Sequence, residues 1–221
     1  MGVDLSLVCK GFDEPVKDSQ SSFRTILNAL SQPGTVGHLD VIPLGHAPEK
    51  WTEAAWALAM TLLDGDTRVW LSPSLATAVA HASLQFHTSC PITHDPSEAD
   101  FIFVGNVNEQ PDWSSLRHGE AEFPDLSATV ILQVPGIEVV EPSAPNVAPN
   151  VAPSSTWELR GPGIEHTRLI RLQHEPEDHW PEQLRLALVA NRAQFPLGVD
   201  LLLVWLDLVC ALPRSTRIVT N

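Results

Sequence analysis

Pro213-Arg214-Ser215-Thr216-Arg217 holds the densest group of fixed hydrogen-bond donors in the sequence. Two guanidinium groups stand three residues apart with two hydroxyls between them. Arginine presents its N–H groups as a planar fork that matches phosphate or carboxylate oxygens, and neighbouring hydroxyls add single donors. The segment follows the apolar run Val209 to Leu212, and strand ends are where α/β proteins tend to hold ligands. It is therefore a candidate anion site. The same residues are also suited to an internal role, with the arginines satisfying loop carbonyls or the chain's own carboxylates. Gln20 and Arg24, spaced i, i+4, share one helix edge and would complete the site if that helix packs nearby. Among nine histidines, His87 stands out because Phe86-His87-Thr88 lies beside Cys90; its plainer role is a half-buried ring bonded to backbone. The other histidines lack metal-ligand spacing, so no metal site is expected.

The chain around these residues is acidic, with 13 Lys+Arg against 27 Asp+Glu and a net charge of −14. Such a surface repels anions in general, so one binds only where donors are concentrated. It also opposes broad nucleic-acid binding, which needs a basic face. The longest clean apolar run, Leu201 to Leu206, is far short of the ~20 residues that cross a membrane. Cys9, Cys90 and Cys210 are widely spaced with no C-x-x-C, and the N-terminus carries no secretory signal. A reduced, cytoplasmic protein with ordinary thiols is expected. The only lysines are Lys10, Lys17 and Lys50, and tyrosine is absent. A Schiff-base lysine late in the chain and phenolic acid–base catalysis are thereby excluded. Phosphate-loop, dinucleotide, nucleophile-elbow and zinc-protease signatures are all missing.

The elements that must position the candidates read as an interleaved series. Helices are expected at Asp18–Ser31, Trp51–Asp64, Ser74–Ser83 and Pro181–Ala193, from apolar residues at i, i+3, i+4, i+7. Asp18 or Ser19 is the expected cap of the first helix, and Ser72-Pro73 that of the third. Gln32-Pro33-Gly34-Thr35 fits a type II turn. Strands are expected at Thr35–Ile42, Thr67–Leu71, Leu84–His87, Ala99–Val104, Ala128–Val134, Val199–Leu206 and Val209–Leu212. Thr156–Arg160 and Arg168–Leu172 should pair around Gly161-Pro162-Gly163. Residues 135–153, with PNVA twice in tandem, read as a Pro-rich loop within one domain spanning 1–221. Alternating helices and strands give an α/β class: a three-layer mixed sheet with helices on both faces.

Ten blocks, in order, resemble one family. They begin with Gly11 to Gln20 followed by Phe23-Arg24 and Pro33-Gly34. They continue through Leu62-Leu63-Asp64, Phe86-His87-Thr88, Ala99-Asp100-Phe101, Gly119 to Pro124, Leu159 to Ile164 and Phe195 to Asp200, and end with Leu212 to Arg217. The chain is similar to PhnH, a subunit of the bacterial carbon–phosphorus lyase core complex. Ser215 departs from the family's usual Thr and keeps the hydroxyl. The resemblance implies a fold like the large domain of PLP-dependent transferases, here without the PLP lysine, and therefore no cofactor. It implies a homodimer when isolated and an assembly with the G, I and J subunits; charge and hydropathy, as above, point to no nucleic acid and no membrane partner. That assembly joins an alkylphosphonate to the ribose of ATP with loss of adenine. The chain would be a structural or interaction subunit; the alternative is a subunit that binds a phosphonate or ATP directly. The resemblance assigns no catalytic residue.

Overall fold

The computed structural model of the protein describes residues 4–140 and 154–219. In chain order the first half contains α1 (Pro15–Ser31), β1 (Val36–His38), α2 (Glu53–Leu62), β2 (Val69–Leu71), α3 (Ala78–His87), β3 (Ile92–Thr93) and β4 (Phe101–Val104). The second contains β5 (Thr129–Gln133), β6 (Ile137–Val140), β7 (Ser154–Arg160), β8 (Arg168–Gln173), α4 (Trp180–Arg192), β9 (Asp200–Trp205), β10 (Leu208–Leu212) and β11 (Arg217–Val219). Seven strands form one mixed sheet in the order β1-β10-β9-β5-β4-β2-β3, and four form an antiparallel sheet in the order β11-β7-β8-β6. Strands β3, β2, β4, β5 and β9 run parallel, whereas β10 and β1 are antiparallel to their neighbours.

Strand side chains alternate between faces, and the seven-stranded sheet uses both. Phe103, Ile131, Leu202 and Val209 point into one core, roofed by Ile26 of α1, Ala54–Ala59 of α2 and Leu84 of α3. Ile102, Val130, Leu132, Leu201 and Leu203 point into a second core. That core is closed by Leu184 and Leu188 of α4 and by Trp157, Leu159, Ile170 and Leu172 of the small sheet. The protein is thus α/β with a mixed sheet. Helices α1–α3 cover one face, while α4 shares the other with the antiparallel sheet.

Local chemistry explains the boundaries. Helix α1 begins at Pro15, three residues before the expected cap, because proline suits the first helical position. Asp18 caps from inside instead: its Oδ2 accepts the Glu14 N–H at 2.9 Å. Gly34 takes φ +78° in the turn that ends α1, and the Thr35 N–H returns to the Gln32 carbonyl at 3.1 Å. A Cβ on Gly34 would stand 2.6 Å from Leu159 Cδ1, so the turn and the packing both demand glycine. Helix α3 starts at Thr77, whose hydroxyl accepts the Ala80 N–H, and not at Ser72. The Ser72 hydroxyl is used elsewhere, accepting the Gly105 N–H at 3.0 Å. Residues 84–87, expected as a strand, are the last turn of α3. The expected strand 35–42 shrinks to three residues, since β1 has only β10 to pair with. Strands β3, β6 and β11 were not expected. Strand β6 falls inside the expected Pro-rich loop, and residues 141–153 of that loop lie outside the described residues.

Candidate functional site

Arg214 is the centre of a polar junction between three segments. It lies just past β10, in a turn closed by the Thr216 N–H on the Pro213 carbonyl at 2.8 Å. Asp200, the first residue of β9, faces it. The Arg214 backbone N–H and Nε donate to Asp200 Oδ1 at 2.8 and 3.1 Å, and Nη2 donates to Oδ2 at 2.6 Å. Nη1 donates to the Pro124 carbonyl at 2.7 Å, and Nη2 also to the Ser127 hydroxyl. Only 14% of the Arg214 side chain and 23% of that of Asp200 is exposed. The guanidinium is therefore neutralised by a fork-to-fork carboxylate and satisfied on three sides. An incoming phosphate would have to displace Asp200 or share one remaining N–H.

The other members of the pentapeptide are separated from a common ligand. Thr216 is buried, and its Oγ1 has no hydrogen-bond partner among the described residues. The Ser215 carbonyl accepts from Arg192 Nε at 3.2 Å. Arg217 is exposed on the edge strand β11, opposite Arg160, whose own guanidinium is held by Glu158 at 2.7 Å. A void beside the turn is lined by Leu188, Asn191, Arg214 and Thr216 and has space for about one water.

Gln20 and Arg24 are exposed on α1 and line a different surface hollow, with Lys17, Asp18, Thr25 and Asn28. No residue of 213–217 lines that hollow. His87 ends α3 on the far side of the helical layer. Its Nε2 lies 2.8 Å from the Cys9 carbonyl, and its ring stands edge-on to Trp56 and Phe86. A Cβ on Gly11 would meet that ring at 3.0 Å. His87 thus clamps the N-terminal segment to α3, next to the Cys9 N–H that donates to Ser83 Oγ. Burial pushes the Cys90 thiol up, and that of Cys210 up to about 12. Both are closed to nucleophilic chemistry at neutral pH.

The partners that organise the junction were not read from the sequence: Asp200, Ser127 and the Pro124 carbonyl. Around them, Asn191 exchanges two bonds with Val199, Nδ2 to the carbonyl at 2.9 Å and the Val199 N–H to Oδ1 at 2.8 Å. The Gly198 N–H donates to the His118 carbonyl. Arg117 pairs with Asp100, which also accepts the Arg68 N–H at 2.7 Å. A usable signal existed: Gly119–Pro124, Phe195–Asp200 and Leu212–Arg217 are separate resembling blocks, and the fold joins them.

The site belongs to an α/β protein built on a mixed seven-stranded sheet and a smaller antiparallel one, with Arg214 held internally by Asp200. The chain matches the family described as bacterial phosphonate metabolism protein (PhnH) over residues 10–219. The chain belongs to this PhnH family. It is 34% identical over 210 residues to the alpha-D-ribose 1-methylphosphonate 5-triphosphate synthase subunit PhnH of Rhizobium meliloti, covering 94% of this chain and 93% of that protein. It is 27% identical over 199 residues to HtxG of Stutzerimonas stutzeri, named as a candidate C–P lyase subunit, covering 90% of this chain and 85% of that one.

Proposed function

We propose that this chain is a structural and interaction subunit of a carbon–phosphorus lyase core assembly with G, I and J subunits. In that role it supports formation of a ribose 1-alkylphosphonate 5-triphosphate from ATP and an alkylphosphonate in the bacterial cytoplasm. The observation that carries the reading is the Arg214–Asp200 pair. The guanidinium best placed to grip a phosphate is spent on holding three segments of the fold together. The Rhizobium meliloti relative, a subunit of a ribose 1-methylphosphonate 5-triphosphate synthase, supports the assembly.

The proposed likeness to the large domain of PLP-dependent transferases does not extend to their chemistry. Lys10 and Lys17 are surface residues paired with Asp13 and Glu14, and Lys50 is exposed ahead of α2. The carboxyl edge of β2, β4 and β5 is filled by the chain itself. The Ser74 N–H and hydroxyl donate to Glu109 at 3.0 and 2.6 Å. The Gln133 amide bridges the Thr52 N–H and the Lys50 and Gly105 carbonyls. These residues do not fit PLP.

The test is reconstitution of the assembly with and without this chain, scored by complex formation and by turnover of ATP with methylphosphonate. Assembly and turnover should both require the chain. Full activity of the remaining subunits without it overturns the reading. A direct phosphonate- or ATP-binding role is the second reading, favoured by the exposed guanidinium of Arg217, which has no carboxylate partner among the described residues.

A further inference from the structure

The outer face of α4 and the segment after it is apolar and unshared with the core. Leu186, Val189 and Phe195 are 54%, 41% and 50% exposed, and Ala190, Ala193 and Pro196 between and beside them are exposed as well. An amphipathic surface helix normally turns charge outward on this side. Beside this ridge runs a hollow of about 340 Å³ between α4 and the 111–118 segment, walled by Trp113, Ala187 and Ala190. A ridge next to a hollow, with the small Ala187 and Ala190 on the helix side, is the relief into which a second helix fits, its side chains entering the hollow.

The charges narrow the occupant. Arg192 borders the ridge, stacks 4.6 Å above Phe195 and donates to the Ser215 carbonyl, but among the described residues it has no carboxylate partner. The acid on the same helix, Glu182, is already held through both oxygens by Arg185, at 2.7 and 2.5 Å. In an antiparallel pairing of α4 with a second copy, Glu182 is the acid that would fall near Arg192. It is engaged, so that pairing would leave Arg192 without a carboxylate.

We infer that this face docks an amphipathic helix of a different protein, apolar along one side and carrying a carboxylate that meets Arg192. Aromatic and arginine anchors around a desolvated pocket are the usual centre of such an interface. The inference rests on the reading of the chain as an assembly subunit.

The experiment is co-expression with the G, I and J subunits and capture through a tag on one of them. Leu186→Glu/Val189→Glu should keep its thermal midpoint and lose capture by about tenfold or more. Leu44→Glu, at a still more exposed leucine elsewhere, should not. Arg192→Gln should weaken capture, and Arg192→Lys should restore it. Wild-type capture of the folded double variant overturns the docking face. So does loss of self-association alone, seen by light scattering with capture intact. Full capture of Arg192→Gln overturns the carboxylate partner. If the wild-type chain itself is not captured, the subunit reading falls and takes the docking face with it.

Discussion

Arg214 and Asp200 are fourteen residues apart and meet through three hydrogen bonds, two from the guanidinium and one from the Arg214 backbone. This pair ties the turn after β10 to the start of β9, while the same guanidinium reaches the Pro124 carbonyl and Ser127. Removing one partner leaves a mostly buried charge uncompensated. Arg214→Ala should therefore lose about 3 kcal/mol of stability, a fall of roughly 10 °C in midpoint for a domain of this size. In a double-mutant cycle, Asp200→Asn with Arg214→Met should cost less than the sum of the two single changes. Additive costs in calorimetry would mean the pair is not coupled.

Thr216 offers the opposite sign. Its hydroxyl is buried without a partner among the described residues, beside the void lined by Leu188 and Asn191. An unpaired buried hydroxyl costs on the order of 1–3 kcal/mol. Thr216→Val keeps the shape and removes the polar atom, so chemical denaturation should show equal or higher stability. A clear loss would mean that a water fills the void and bonds the hydroxyl.

Periodicity made the large elements legible and left the small ones hidden. Phe101–Val104 and Leu201–Leu203 are apolar on both faces because the sheet is covered on both, and an unbroken apolar run announces that. Strands β3 and β11, at two and three residues, are too short for a period of two to register. Residues 84–87 misled because Leu84-Gln85-Phe86-His87 alternates like a strand, whereas the Thr77 cap places them in the third turn of a helix. The arginine cluster was visible by type, but its use was not. Asp200 lies fourteen residues before Arg214, and the return of β10 along β9 brings the two together, a pairing that residue types alone do not show. Arg24 and Gln20 share a helix edge as their spacing required; nothing local could tell that the edge faces another hollow.

Thiol chemistry should separate the three cysteines. Cys90 and Cys210 are buried, and burial raises both pKa values, that of Cys210 to about 12 from 9. Only Cys9, which is partly exposed, should react with a thiol reagent in the native protein at pH 8, and all three should react in denaturant. The unfolded chain ionises Cys210 first as pH rises. Its stabilising share is thus fully present below pH 9 and is lost between 9 and about 12. A Cys210→Ala variant with an unaltered alkaline limb would contradict this.

His81 should weaken the fold on the acid side. Burial, and then the nearby His94, lowers its pKa below 6.5 in the folded chain. The unfolded chain takes up the proton first, so the contribution is whole above pH 6.5 and is lost as pH falls through the lower folded value. His81→Gln should flatten the acid limb of a stability–pH curve below 6.5. A curve of unchanged slope would assign that limb to the carboxylates.

Arg217 decides between a framework turn and a ligand turn. It is exposed, has no carboxylate partner among the described residues, and stands across from Arg160, which Glu158 occupies. Arg214 beside it is neutralised by Asp200. A lone solvated guanidinium on a chain of −14 gives an anion little to hold, since neighbouring carboxylates oppose it and salt screens it. Titration with methylphosphonate or ATP should therefore give the same weak binding for wild type and Arg217→Ala. The midpoint of Arg217→Ala should stay within about 2 °C of wild type, because an exposed surface side chain contributes little to stability. A ligand held by two or more donors predicts otherwise. Losing one guanidinium would then cost about 1.5–3 kcal/mol, a tenfold or greater fall in affinity with the fold intact. That fall in Arg217→Ala, absent from Arg24→Ala in the separate α1 hollow, would return the Pro213–Arg217 turn to an anion site and displace the framework reading.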